Sequence, residues 1–352
     1  MIGFGAMIVL LISFIISILL VPIIIKVSDR NGFHDYVNER KIHNGKISRL
    51  GGLAIFCGFA ASLLYLLITD FNVPFKVYLF VIATFIAFLT GFIDDIYHIK
   101  ARYKLMLQLL CGLLVAFADL KISKITLATG VDIQFGLLSY IITMIWVAGF
   151  MNAINLLDGM DGLASGVVII SSAFIAIIGF LQGNIIVSLL ALALIGAIFG
   201  FFIFNYPPAK IFMGDGGAYF LGFMYAILPL IGFKKASSVL LFIIPIVLLL
   251  IPLVDIINVI RKRVEGGYSI FIADKNHIHH RLLNIGFTNR GIIWVFYGYT
   301  FIMGNFAILM HYLKPHESII ISFLLFLLTI LAFYTVSVAE KKIEDLSSQN
   351  GK

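Results

Sequence analysis

Apolar residues fill this chain in long runs, and short polar segments separate them. The runs cover about 2–25, 51–69, 75–93, 105–119, 137–156, 164–181, 184–204, 217–233, 237–260, 291–313 and 318–339. A bilayer needs ~20 consecutive apolar residues per helix. The pattern therefore predicts an all-α polytopic membrane protein with about eleven transmembrane helices, the run at 105–119 being short. Only the segment 121–135 alternates, loosely and with a Thr-Gly break, which predicts a small hairpin. No repeat, long linker or low-complexity stretch interrupts the runs, so one membrane domain is expected over 1–352, with a short polar, frayed tail at 340–352.

Charge then orients the pattern. With the N-terminus outside, the segments 26–50, 94–104, 155–163, 205–216, 261–290 and 340–352 fall on the inner side and hold 19 of the 25 Lys and Arg residues. The positive-inside rule thus favours an outer N-terminus and an inner C-terminus, although Lys234 and Lys235 go against it. Asp94, Asp95, Asp158, Asp161 and Asp215, together with His277, His279 and His280, then share the cytoplasmic face.

Composition fits this reading: 61% of residues are hydrophobic and 12% charged, against about 25% charged in soluble domains. The net charge of +7 suits anionic lipid or phosphate and is no argument for nucleic acid. Cys57 and Cys111 lie in apolar runs and read as small core residues. The first run lacks a basic leader and continues to Ile25, as an uncleaved span would.

Candidate chemistry sits in four polar segments. GFIDDIYHIKARYK (91–104) sets adjacent Asp94 and Asp95 before Lys100, Arg102 and Lys104. Adjacent carboxylates repel unless a proton or cation lies between them, and the following bases suit phosphate oxygens. NAINLLDGMDGLA (152–164) places Asp158 and Asp161 on one helix face, beside Asn152 and Asn155. A charge at the hydrocarbon centre costs roughly 2.5–3.5 kcal/mol, so this pair belongs at a membrane face or in a wet cavity. A Gly-rich capped turn is the plainer reading of the same residues.

NYPPAKIFMGDGG (205–217) breaks a helix at Pro207 and Pro208 and puts Asp215 between glycines before the next run. It could be an anion-binding helix start or a simple cap, and it lacks the Walker pattern. The loop 261–290 carries Arg261, Lys262, Arg263, Asp274, Lys275 and the HIHHR group His277–Arg281. Zinc would need about four ligands, and both cysteines lie elsewhere, so anion binding or proton handling ranks above it. Asp255 and Asn258 lie near the end of a run with Pro245 and Pro252, where they could serve a helix bend or a polar pathway. Five inner-face carboxylates among bases make a plausible Mg²⁺ and phosphate site, since Mg²⁺ typically takes one or two carboxylates with phosphate and water.

The segments GFIDD, NAINLLDGMDGLA, FMGDGG and HIHHRL, in this order, resemble those of the polyprenyl-phosphate N-acetylhexosamine-1-phosphate transferases, and the resemblance spans nearly the whole chain. HIHH resembles the bacterial undecaprenyl-phosphate GlcNAc-1-phosphate branch. The peptidoglycan branch, using UDP-MurNAc-pentapeptide, typically has three consecutive histidines, which Ile278 interrupts here.

The resemblance implies transfer of GlcNAc-1-phosphate from UDP-GlcNAc to undecaprenyl phosphate at a bacterial inner membrane, starting O-antigen, enterobacterial common antigen or teichoic acid. It implies Mg²⁺, with Mn²⁺ as a substitute, and partners that are UDP-GlcNAc, undecaprenyl phosphate and the lipid bilayer, with a homodimer as a further option. Asp215 would be the main metal ligand. Asp94 and Asp95 would handle the lipid phosphate, one of them as a base, while Asp158 and Asp161 would line the nucleotide side. Asn155 and Lys104 would contact the diphosphate, and Asn205 and Phe212 would bind or stack on uridine. His277, His279, His280 and Arg281 would hold sugar or phosphate, and Lys46 is a weaker phosphate candidate. At neutral pH the acceptor phosphate is already largely anionic, its second pKa being about 6, so Asp94 and Asp95 could matter more for position than for proton removal. The competing class is an ion-coupled transporter, which predicts mid-span acids and paired repeats.

Overall fold

The computed structural model describes residues 2–35, 47–69, 75–126, 131–232, 244–265 and 277–350. Lys46, Asp274 and Lys275 lie outside the described residues. The helices are α1 (Ile2–Asn31), α2 (Gly51–Thr69), α3 (Phe75–Tyr97), α4 (Ala101–Phe117), α5 (Leu138–Leu157), α6 (Leu163–Leu181) and α7 (Ile185–Asn205). They continue with α8 (Gly214–Gly232), α9 (Leu250–Glu265), α10 (Ile278–Asn284), α11 (Asn289–Tyr312) and α12 (Pro315–Asn350). Among the described residues, nine helices are long and apolar enough to cross a membrane. Two of the eleven expected runs differ: α4 has 17 residues, and the run at 237–260 is described only from residue 244, with a turn at 249 before α9.

Two short hairpins complete the chain. β1 (His34–Asp35) pairs antiparallel with β2 (Ile47–Ser48). β3 (Lys124–Thr126) pairs antiparallel with β4 (Asp132–Gln134), and Lys124 Nζ meets Asp132 Oδ2 at 2.6 Å. The second is the hairpin expected at 121–135. The tail does not fray at residue 340 as expected: α12 continues to Asn350, and Glu340 is held by Arg281 Nε at 2.8 Å.

The core centres on α8, whose residues Ala218–Leu228 are buried throughout. It packs against α2, α3, α5, α6 and α7. Lipid is as apolar as leucine, so close packing by small residues decides which helices associate. Gly52 of α2 meets the backbone of Gly217, and Gly222 meets that of Met151 in α5. Gly196 and Gly200 of α7 similarly lie against the backbone of Leu10 and Phe14 in α1. These contacts bring the ends of α3, α5 and α7 and the start of α8 together at one end of the bundle.

Candidate active site

Asp215 lies at the start of α8, where Gly214 takes the left-handed φ of +71° that turns the loop into the helix. The first N–H groups of a helix have no partner within it. Here Asp95 of α3 supplies one: its Oδ1 accepts from Asp215 N–H at 2.9 Å and its Oδ2 from Gly216 N–H at 3.0 Å. Asp95 is therefore a cap donated by a neighbouring helix, and its oxygens fix the backbone of Asp215. Gly91, one turn earlier on α3, lies directly on the Asp215 carbonyl.

Asp94 points the other way. Its Oδ1 accepts from Ile99 N–H at 2.6 Å, closing the turn after α3. Its Oδ2 accepts from Lys104 Nζ at 2.8 Å. The same ammonium reaches Asp215 Oδ2 at 3.4 Å, and Asn155 Nδ2 donates to Asp215 Oδ1 at 2.9 Å. Asp94, Lys104, Asn155 and Asp215, from four different helices, thus converge on one partly exposed point.

Asp158 ends α5 beside this group. Desolvation first, then the charge of Asp215, pushes its carboxyl well above the usual range, with Arg49 opposing. Asp161 ties the turn to the 205–213 loop: its Oδ2 accepts from Ala209 N–H at 3.0 Å. Asn205 completes that tie. Its Oδ1 accepts from Gly162 N–H at 3.0 Å and Ser165 Oγ–H at 2.8 Å, while its Nδ2 donates to Ile211 O at 2.9 Å. Asn205 is 3% exposed, and these three bonds tie the α5–α6 turn to the 205–213 loop. Phe212 is half-buried, and its backbone pairs with the strand-like segment before α2, accepting from Gly51 N–H at 3.0 Å and donating to Ser48 O at 2.8 Å.

The histidines arrive on α10. His277 and His279 are buried, with rings parallel 5.9 Å apart, and the half-buried His280 ring lies 4.4 Å from His279. His279 leans over the α5–α6 turn: a methyl group on Gly159 would come within 2.6 Å of its Nε2. That nitrogen has no hydrogen-bond partner among the described residues. Arg281 does not join the histidines at the site. It is buried, and its guanidinium bonds Glu340 at 2.8 Å and Ser337 Oγ at 2.5 Å.

Burial, then the His280 and His277 rings, pushes the His279 imidazole down to about 3 from its ordinary 6.5. The unfolded chain takes up this proton below about pH 6.5 and the folded chain does not, so the stability His279 contributes is present above that pH and falls as pH drops towards 3. A scan of Tm against pH is expected to decline over this window, and His279→Gln should flatten the decline. An equal slope in both proteins would contradict the neutral, buried imidazole.

Several of these roles were not readable along the chain. Asp255, Glu340 and Tyr297 hold the site together from distant helices. Tyr297 OH donates to Gly162 O at 2.6 Å, and Gly166 makes room for its ring. Asp94–Asp95 and Asp158–Asp161 read alike as paired acids, but Asp95 and Asp161 accept backbone N–H groups from distant segments. No sequence signal separates the members, because the partner N–H groups lie more than forty residues away.

Among the described residues no group of three or more His, Cys, Asp or Glu side chains is arranged to hold an ion. Asp215 and Asp94, bridged by one ammonium, do fit a hard cation that brings phosphate oxygens as its other ligands.

A family profile described as glycosyl transferase family 4 matches residues 77–233. A probable undecaprenyl-phosphate N-acetylglucosaminyl 1-phosphate transferase of Bacillus subtilis (strain 168) is 34% identical over 341 residues, 95% of this chain and 94% of that protein. An undecaprenyl-phosphate alpha-N-acetylglucosaminyl 1-phosphate transferase of Yersinia pestis is 30% identical over 272 residues, 75% of this chain and 73% of its own. A phospho-N-acetylmuramoyl-pentapeptide-transferase of Streptococcus thermophilus (strain CNRZ 1066) is 40% identical, but over 150 residues, 40% of this chain and 44% of its own.

Proposed function

Since the chain belongs to glycosyl transferase family 4, we propose that it transfers GlcNAc-1-phosphate from UDP-GlcNAc to undecaprenyl phosphate. The observation that carries this reading is the convergence of Asp94, Lys104, Asn155 and Asp215 at one end of the bundle, in a chain similar over almost its full length to a protein named for that activity. A phosphate oxygen of the lipid attacks the β-phosphorus, the bond to UMP breaks, and undecaprenyl-diphospho-GlcNAc forms. The GlcNAc branch is favoured over the MurNAc-pentapeptide branch because similarity to the latter covers 40% of the chain, and because Ile278 divides the histidines.

Phosphoryl transfer is mainly positioning and charge neutralisation. Asp215 and Asp94 would hold Mg²⁺, which when bound screens the phosphate oxygens from one another. Lys104 offers its ammonium to the same oxygens, at a point where the substrate's charge would displace its present partners. Asn155 orients Asp215. Asp94, hydrogen-bonded by Ile99 and Lys104, would steer the lipid phosphate through that ammonium. The histidines of α10 approach from the Gly159 side, where they suit the sugar or its phosphate. With the N-terminus outside, this end of the bundle faces the cytoplasm, where UDP-GlcNAc is made. The enzyme would then perform the first membrane step of an envelope polysaccharide at the bacterial inner membrane.

The test is direct. Purified protein in detergent receives undecaprenyl phosphate, radiolabelled UDP-GlcNAc and Mg²⁺, with and without EDTA. Labelled lipid and UMP are expected, and EDTA is expected to stop both. Product that survives EDTA would remove the metal from the proposal. Absence of product with UDP-GlcNAc, UDP-GalNAc and UDP-MurNAc-pentapeptide would sink the transferase reading.

A further inference from the structure

The helix that carries the histidines is seven residues long, Ile278–Asn284. Isolated helices shorter than about 12–15 residues are marginal, so this one must be held by its neighbours. Two carboxylates hold it, one at each end. At its start, Asp255 of α9 is buried in the bundle and uses both oxygens: Oδ1 accepts from Ile278 N–H at 3.1 Å, and Oδ2 meets His277 Nδ1 at 3.0 Å. At its end, Glu340 of α12 accepts from Arg281 Nε at 2.8 Å through Oε2 and from Asn284 Nδ2 at 3.1 Å through Oε1. Ser337, one turn earlier on α12, adds the bond to the same guanidinium.

Each anchor fixes something a histidine needs. A carboxylate facing Nδ1 keeps the proton of His277 on that nitrogen and leaves Nε2 for another partner. The grip on Arg281 fixes the rotation and height of α10, and with them the approach of His279 to Gly159.

We propose that Asp255 and Glu340 are positioning residues for the reaction, clamping α10 from two separate helices so that its histidines stay against the α5–α6 turn. The inference rests on the transferase reading given above, in which those histidines meet the donor substrate. It gives the inner end of α12 a function: residues 337–340, where the last apolar run stops, serve the active site.

A clamp that acts through the histidines has a signature that general destabilisation lacks. Asp255→Asn keeps the cap acceptor but turns a donor towards His277 Nδ1, and Glu340→Gln removes the charge opposite Arg281. Each is expected to lower kcat/KM for UDP-GlcNAc about tenfold, a coupling of ~1.4 kcal/mol. In a background already carrying His277→Gln and His279→Gln, each is expected to cost less than about twofold, because the groups it positions are gone. The same tenfold loss in both backgrounds, or no loss in either, would overturn the inference.

Amide exchange over residues 277–285, which needs no catalysis, is expected to quicken about tenfold in Glu340→Gln and in Asp255→Ala, and unchanged exchange would also overturn it. Should Asp255→Ala fail to fold, Glu340→Gln carries this measurement alone. Wild-type protein that makes no lipid-linked sugar would instead bring down the transferase reading, and this inference with it. An active wild type with silent clamp variants would overturn the inference only.

Discussion

Asp215→Asn is expected to reduce formation of lipid-linked sugar by roughly 10²–10³-fold, the loss typical of removing one preorganised electrostatic group from a reacting centre. The carboxylate is held from every side. Lys104 and Asn155 address its two oxygens, and Asp95 receives its backbone N–H, so its position is set before substrate arrives. Asparagine preserves the shape and keeps the backbone bond to Asp95 but removes the charge that a cation or the Lys104 ammonium needs. Folding should be little affected, because Lys104 retains Asp94 at 2.8 Å. The radiolabel assay, run beside a melting curve, checks both halves. Activity within a few-fold of wild type would show that the reacting phosphates are handled elsewhere.

Gly91→Ala should be almost as damaging, with about a 10²-fold loss of activity from a residue that need not touch substrate. A methyl group there would overlap the carbonyl of Asp215, and one turn on, Asp95 caps the same helix. Forcing α3 and α8 apart would both overpack the interface, at about 1–3 kcal/mol, and loosen the cap on which Asp215 depends. Displacement of a reacting group by ~1 Å can cost 10²-fold. Gly149→Ala is the control, since nothing lies within 4 Å of a methyl group at that position in α5. It is expected to keep wild-type activity and, as an alanine inside a helix, to match or raise the Tm. Equal behaviour of the two variants would refute the close approach of α3 to α8.

Much of the fold was legible in advance, because hydrocarbon imposes one rule on every spanning segment. An apolar run of sufficient length must form a helix to satisfy its backbone. Helices form the bulk of each of the eleven runs where it is described, and the 121–135 hairpin is present. The tail after residue 340 read as frayed because its polar sequence has no apolar stripe, while its anchor, Arg281, lies 59 residues away. The acids, the histidines and the MGDGG turn were equally visible, since charged and glycine-rich groups stand out against an apolar chain. Their division of labour was not. Asp94 and Asp95 are the same residue type side by side, yet successive positions on a helix point about 100° apart. One therefore meets Lys104, and the other meets the start of α8.

The sequence by itself determined a polytopic helical protein, four polar segments and the family to which they belong, because those follow from local composition and order along the chain. The tertiary structure alone decided which polar groups face one another. Lys104 joins Asp94 to Asp215 across 111 residues, Asn205 is turned inward as a clamp, and Asp255 and Glu340 hold the histidine helix. The physical reason is that a hydrogen bond acts over about 3 Å in space and is blind to separation along the chain. Only the packing of glycine-lined helices brings such distant partners within that distance.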